Sequence, residues 1–288
     1  MSAINARVRR VHLQSPQPRA MADFYAKAYA LSVGERDGVY LCQGDGRQVA
    51  VSAGAANQVH YVLLGFSEAE AWRAFQTRTA SLQRVDVSRF RELPAGVICF
   101  ADPEGHSIAF CLDADAAAKV EPASPASAPA GALAGHSQHF AFRTTKIQEM
   151  VRFYSAALGF QVSDNVRADT GDDAGDLRAC FLRADPLHHA LALFKSPISC
   201  FDHQAFEVPD WEHLKKWADH MAGVSIEIAW GVGRHGPGND TFFMIRDLDQ
   251  NLVEISAELE VCAPERPAGE WKHEERTLNL WGKAMLRS

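Results

Sequence analysis

Three side chains in the downstream half of this chain, His139, His203 and Glu254, are of the types and placement that could hold a metal ion. Two imidazoles and one carboxylate on separate strands form the ligand set of a non-haem Fe(II) site with open positions, and Mn(II) accepts the same set. A repeat singles out this glutamate and these two of the 12 histidines. Residues 147–161, IQEMVRFYSAALGFQ, echo residues 18–32, PRAMADFYAKAYALS, as amphipathic helices with a central Phe-Tyr. Residues 247–254, DLDQNLVE, echo residues 102–109, DPEGHSIA. The alignment sets His139 opposite Arg10, His203 opposite His60 and Glu254 opposite Ala109. The upstream copy lacks the carboxylate, so His60 is expected to be structural.

Each half is expected to supply a strand, a helix and then several strands to position these groups. Upstream, the patterns predict strands near 8–14, 38–43, 47–53, 58–65, 96–101 and 107–112, with helices near 17–30 and 67–79. Downstream, HFAFRT reads as a strand, followed by a helix from about 146 to 157 closed by Gly159. LRACFLRA and HHALALF read as a hairpin turned by Asp185-Pro186. QAFEV follows, then a helix around 210–222, and FFMIRD with LVEISAEL as the last hairpin. The expected division is a metal-free half at 1–115, an Ala/Pro/Ser linker at 116–134, a metal-binding half at 135–262 and a tail at 263–288. The tail carries Trp271, Leu278, Leu280 and Trp281, which must dock, and the second half is the expected surface.

Composition narrows the class. With 47% hydrophobic and 23% charged residues, the chain reads as an ordinary soluble protein. A net charge of -7 argues against nucleic acid or an anionic membrane as the main partner. No apolar leader is read in MSAINARVRRVHLQ and no run approaches a membrane span. The six cysteines lack CxxC spacing and are expected to be reduced, in the cytoplasm. The acidic loop DTGDDAGD lacks EF-hand spacing and reads as solvated. His106, His213 and His220 read as turn or helix-surface residues, His136 as a weaker ligand candidate, and Asp247 and Asp249 as turn residues.

On these residues the chain resembles the vicinal oxygen chelate superfamily, and within it the two-domain type I extradiol ring-cleavage dioxygenases. The likeness covers about residues 5–260 and is carried by QHFAFRT with FYSAALGF, LHHALAL, FDHQAFEV, GRHGPGNDTFF and RDLDQNLVEI. It implies an α+β fold of four βαβββ modules, paired into two incomplete barrels with iron only in the second. It implies His139, His203 and Glu254 as ligands, His189 as the acid/base and His235 as a further active-site histidine. Asn239, Met244 and His188 are the candidate substrate-side residues. Strand alternation lets only one of His188 and His189 face inward, and the family register of the A-L-A-L run selects His189. Met244 stands where these enzymes carry a tyrosine, ten residues before the glutamate. That exchange suggests a substituted or bicyclic catechol.

The resemblance thus implies a homo-oligomer that opens the ring of a catecholic substrate with O2, its first half serving as scaffold. A histidine titrating near neutrality suits the proton that must leave the diol and return. Two other readings stand beside this one, and only the first of them uses the triad. One is a glyoxalase-like lyase or epimerase; the other is a protein of this fold that binds aromatic compounds and confers resistance.

Overall fold

The computed structural model describes residues 3–113 and 133–286. The expected boundary at 115 and the linker up to residue 132 lie outside the described residues. The first half runs β1 (Ala6–Ser15), α1 (Pro18–Tyr29), β2 (Ser32–Arg36), β3 (Val39–Gly44), β4 (Arg47–Ala53), β5 (Gln58–Phe66), α2 (Ala69–Arg78), β6 (Ile98–Ala101) and β7 (Ser107–Leu112). Its strands form one seven-stranded sheet, β2-β3-β4-β1-β5-β7-β6. The second half runs β8 (His136–Thr144), α3 (Ile147–Arg152), β9 (Gln161–Arg167), β10 (Leu177–Arg183), β11 (Leu191–Lys195), β12 (Cys200–Val208), α4 (Trp211–Gly223), β13 (Ile228–Arg234), β14 (Thr241–Arg246) and β15 (Leu252–Ala257). The tail adds β16 (Gly269–Lys272) and α5 (Glu275–Leu278). This second sheet has nine strands, β13-β14-β15-β12-β8-β11-β10-β9-β16.

The fold is α+β, as expected, with one correction. Three modules are βαβββ, but the second has only β6 and β7 after its helix. Irregular chain around Val85, Val87, Phe90 and Leu93 fills the place instead, packing on Tyr61, Leu63 and Ala109. The pattern also missed β2, β9, β13 and the tail's β16. In β2, SVGER, nearly every side chain is exposed, so no apolar alternation marks it. The helix that begins with α3 widens into a π-helical turn over Phe153–Leu158 before Gly159 ends it at φ 91°.

Strand alternation sorts the second sheet into two faces. Phe140, Phe142, Phe206, Val253 and Ile255 enter the main core, which also holds Met21, Tyr25 and Tyr29 of α1. That core is continuous through both halves. The residues between them on β8, β12 and β15 look the other way, into a concave face. His106 and His213, expected near the surface, are buried, and His106 stacks on Phe142 at 4.0 Å.

The Phe-Tyr of each helix joins the halves. Tyr25 Oη donates to Asp247 Oδ2 at 3.2 Å, and Tyr154 Oη donates to Asp102 Oδ2 at 3.1 Å. Each hydroxyl thus reaches the turn aspartate of the opposite half. Asp247 Oδ1 also accepts the amides of Asp249 and Asn251. Burial raises the Asp247 carboxyl from 3.8 to about 6 against those bonds. A raised carboxyl pKa favours the folded state fully below the unfolded value, and that stability is lost as pH rises through about 6. Unfolding free energy should therefore fall by up to about 3 kcal/mol from this group between pH 4 and 6. Asp247→Asn should flatten that stretch of a melting-temperature profile, since the Asn251 amide can turn its unpaired Oδ1 to the new amide.

Candidate metal centre

Three neighbouring strands, β8, β12 and β15, carry the three candidate ligands. Ala205 on β12 is in register with His139 on one side and with Glu254 on the other. His203 lies two residues before Ala205, on the same face. Strands about 4.8 Å apart would leave His139 and Glu254 too distant to touch at their backbones. Their side chains lean together over the methyl of Ala205, which is 2% exposed.

The three donor atoms converge. His139 Nε2 is 3.1 Å from His203 Nε2, and Glu254 Oε2 is 3.6 Å and 3.7 Å from them. Ligand atoms about 2.1 Å from one ion and at right angles sit ~3 Å apart. The outer nitrogens are already engaged. His203 Nδ1 donates to Asp202 Oδ1 at 2.6 Å, and His139 Nδ1 donates to Gln138 Oε1. Asp202 is in turn held by Arg143 at 2.7 Å, and Gln138 Nε2 donates to the His189 carbonyl at 2.6 Å. With the protons on Nδ1, both Nε2 atoms are bare lone pairs facing each other and a carboxylate. Glu254 Oε1 has no hydrogen-bond partner. Three buried acceptors with no donor between them fit a cation.

Above these atoms lies a cavity that, together with the solvent-open space it leads into, spans about 360 Å³. Phe181, Phe194, Met244 and Leu278 give it apolar walls, and His189 and His235 are its other imidazoles. His235 Nε2 is 3.7 Å from Glu254 Oε1, while its Nδ1 donates to the Leu278 carbonyl at 2.6 Å. Burial alone would lower the His235 pKa; Asp240 and Glu254 outweigh it and raise it above 6.5. Burial, aided by His139 and His188, drives His189 well below its ordinary value, so it is neutral. Burial also lowers His139, against the pull of Glu254. His235, Asp240 and Glu254 form a second cluster of potential ligands, which shares Glu254 with the first.

Not every expected residue reaches the cavity. Met244 lies there, paired with Glu254 in register. Asn239 does not: it is exposed in the loop after β13, at a φ of 56°. His188 does not line the cavity either, but is fully buried behind His189. Neither histidine lies on a strand. Both sit in the bend before β11, where the His188 amide donates to the Glu260 carbonyl. Gln138 and Asp202 were not expected in the site, although each is a polar residue directly before a candidate ligand. Leu278, expected to dock on the second half, does so at the cavity itself, which it reaches from the tail.

The upstream counterpart corrects one assignment. Leu63 is in register with both Arg10 and Ala109, so it corresponds to Ala205. Two residues before it stands Tyr61, not His60. His60 is the extra residue of a β-bulge between the Tyr61 and Val59 pairings, which shifts the alignment by one. Among the described residues the first half has no cluster fit for a metal.

Comparison with known proteins accords with this geometry. The sequence model of the Glyoxalase/Bleomycin resistance protein/Dioxygenase superfamily matches residues 136–255. Metapyrocatechase 2 of Cupriavidus necator is 32% identical over 146 residues, 50% of this chain and 43% of that protein. Biphenyl-2,3-diol 1,2-dioxygenase of Paraburkholderia xenovorans is 30% identical over 216 residues, 74% of this chain and 66% of that protein. The matches thus span from under half to about two thirds of these relatives' length. In fold, the chain is similar to the Mn(II)-bound glyoxalase of Novosphingobium aromaticivorans, with TM-score 0.77, 21% identity and coverage of 100% and 93% of the two chains. Homoprotocatechuate 2,3-dioxygenase of Brevibacterium fuscum, in complex with 3,4-dihydroxyphenylacetate, gives 0.76, 19%, and 99% and 91%.

Placing a larger side chain between the donors tests the centre directly. Ala205→Leu should reduce bound Mn(II) or Fe(II) at least tenfold in a metal titration. Overpacking should cost about 1–3 kcal/mol of stability and leave the protein folded.

Proposed function

We propose, for a chain whose residues 136–255 belong to the Glyoxalase/Bleomycin resistance protein/Dioxygenase superfamily, that His139, His203 and Glu254 hold Fe(II) and that the protein opens a catecholic ring with O2 beside its two hydroxyls. The observation that carries this reading is the set of three bare acceptor atoms at the floor of an apolar cavity. When bound, the ion supplies one place at which diol and dioxygen are held side by side. The relatives named for catechol and biphenyl-diol cleavage support this substrate class.

The protein's own groups then divide the work. Neutral His189 takes a proton from a diol hydroxyl at Nε2 and returns it to a substrate-derived oxygen as the ring opens. Both oxygen atoms enter the product, so the enzyme ends in its starting protonation state. His235, its Nδ1 fixed on Leu278, presents Nε2–H to negative charge developing beside Glu254. Phe181, Phe194 and Leu278 exclude water and flank an aromatic ring. Met244 offers an apolar contact, which favours a substituted or bicyclic diol. All six cysteines are unpaired, in keeping with a reducing cytoplasm. Among the described residues no helix is long and apolar enough to cross a membrane.

Oxygen uptake by anaerobically purified, Fe(II)-loaded protein tests the reading. Equal consumption of O2 and diol is expected, with bulkier diols outpacing catechol and no uptake by the zinc form. Iron-loaded protein that consumes no oxygen on any diol would overturn it, and zinc-supported proton transfer on a hydroxy-carbonyl substrate would favour the lyase reading. His189→Asn should lower kcat by about 10²–10⁴-fold at unchanged iron content. Glu254→Gln should instead lose the iron.

A further inference from the structure

Asp164 on β9 is completely buried and has no part in the centre described above. The tail encloses its carboxylate. Oδ1 accepts from Arg266 Nη2 at 3.0 Å and from the Gly269 amide at 3.1 Å, and Oδ2 accepts from Trp271 Nε1 at 2.8 Å. A Cβ at Gly269 would collide with that carboxylate. On its inner side, His188 Nε2 lies 3.1 Å from Oδ2, near but out of line for a full hydrogen bond. The other nitrogen of the same ring, His188 Nδ1, is 3.0 Å from His189 Nδ1. His188 and His189 are 0% and 3% exposed, so no bulk water intervenes.

With His188 neutral, these contacts order the protons. A carboxylate 3.1 Å from His188 Nε2 repels a lone pair there and favours N–H. A neutral His188 then has a bare Nδ1. Two bare nitrogens 3.0 Å apart would repel each other, so the proton between the rings belongs to His189 Nδ1. His189 is left with an unprotonated Nε2, the only nitrogen it can offer to the cavity it lines. We propose that Asp164 and His188 are positioning residues that hold His189 in this tautomer, and that the tail segment 266–271 completes the site by anchoring Asp164. The proposal rests on the acid/base role given to His189 above. A merely space-filling His188 would be indifferent to what accepts at its Nδ1.

Two measurements separate this inference from the reading it rests on. The first needs no turnover: long-range ¹⁵N–¹H correlation of the metal-free protein, with His189 assigned by its loss in His189→Asn. His189 should be Nδ1–H in the parent and a tautomer mixture in His188→Leu and Asp164→Asn. An Nε2–H His189 in the parent would overturn the proposal even if the enzyme proved active. The second uses Fe(II)-loaded protein. His188→Leu and Asp164→Asn should lower kcat about 10²-fold with KM and iron within twofold. His188→Asn, whose amide oxygen can accept where Nδ1 did, should recover kcat to within about fivefold of the parent. Equal losses in His188→Asn and His188→Leu, or losses that track iron content, would show a structural role and reject the proposal.

Discussion

The constraint on which this structure depends is that two imidazole nitrogens and a carboxylate oxygen face one another in the interior with no donor among them. Buried acceptors this close are unfavourable without positive charge between them. The protein holds them there by register rather than by local flexibility. Ala205 lies between His139 and Glu254 on the central strand, and bonds behind each imidazole turn its free nitrogen inward. Rotation of either ring would break its bond to Asp202 or Gln138.

How much of this was legible in the sequence depended on whether a residue's role is local. The repeat placed both helices and all three candidate ligands, because strand position and an apolar period are written in consecutive residues. His60 was set opposite His203 because an ungapped match cannot show a β-bulge; the backbone gives that place to Tyr61. His188 and His189 looked like alternating strand positions, but a bend before β11 buries both, one behind the other. Asn239 sat in a matching motif, but the loop after β13 leaves it exposed. The roles of Leu278, Trp271 and Arg266 arise only when the tail returns to β9 and the cavity, more than a hundred residues from Asp164 in the case of Trp271. No local pattern reports such a contact.

The two halves carry the same scaffold to different ends. In the first, the place corresponding to Ala205 is Leu63, and the concave face is filled by Phe90, Tyr61 and their neighbours. His12 there is tied to Glu92 at 2.7 Å and to Ser52 at 2.9 Å, which pins the filling segment to the sheet. Packing has replaced the cavity, so that surface contributes stability where its counterpart contributes a vacancy lined for chemistry.

The crossed tyrosines bear on why a copy without ligands persists at all. Tyr25 finds Asp247, and Tyr154 finds Asp102, only because both halves are present. A shortened gene encoding the second half alone would retain every candidate ligand yet strand Tyr154 and Asp247 without their mates. It would also bare the aromatic face formed by Phe206 and Trp217, on which Tyr29 now packs at 4.9 Å and 5.9 Å. The first copy holds no metal-fit cluster among its described residues, yet deleting that copy would remove half of a shared interior. Duplication, once its products interlock in this way, is hard to reverse.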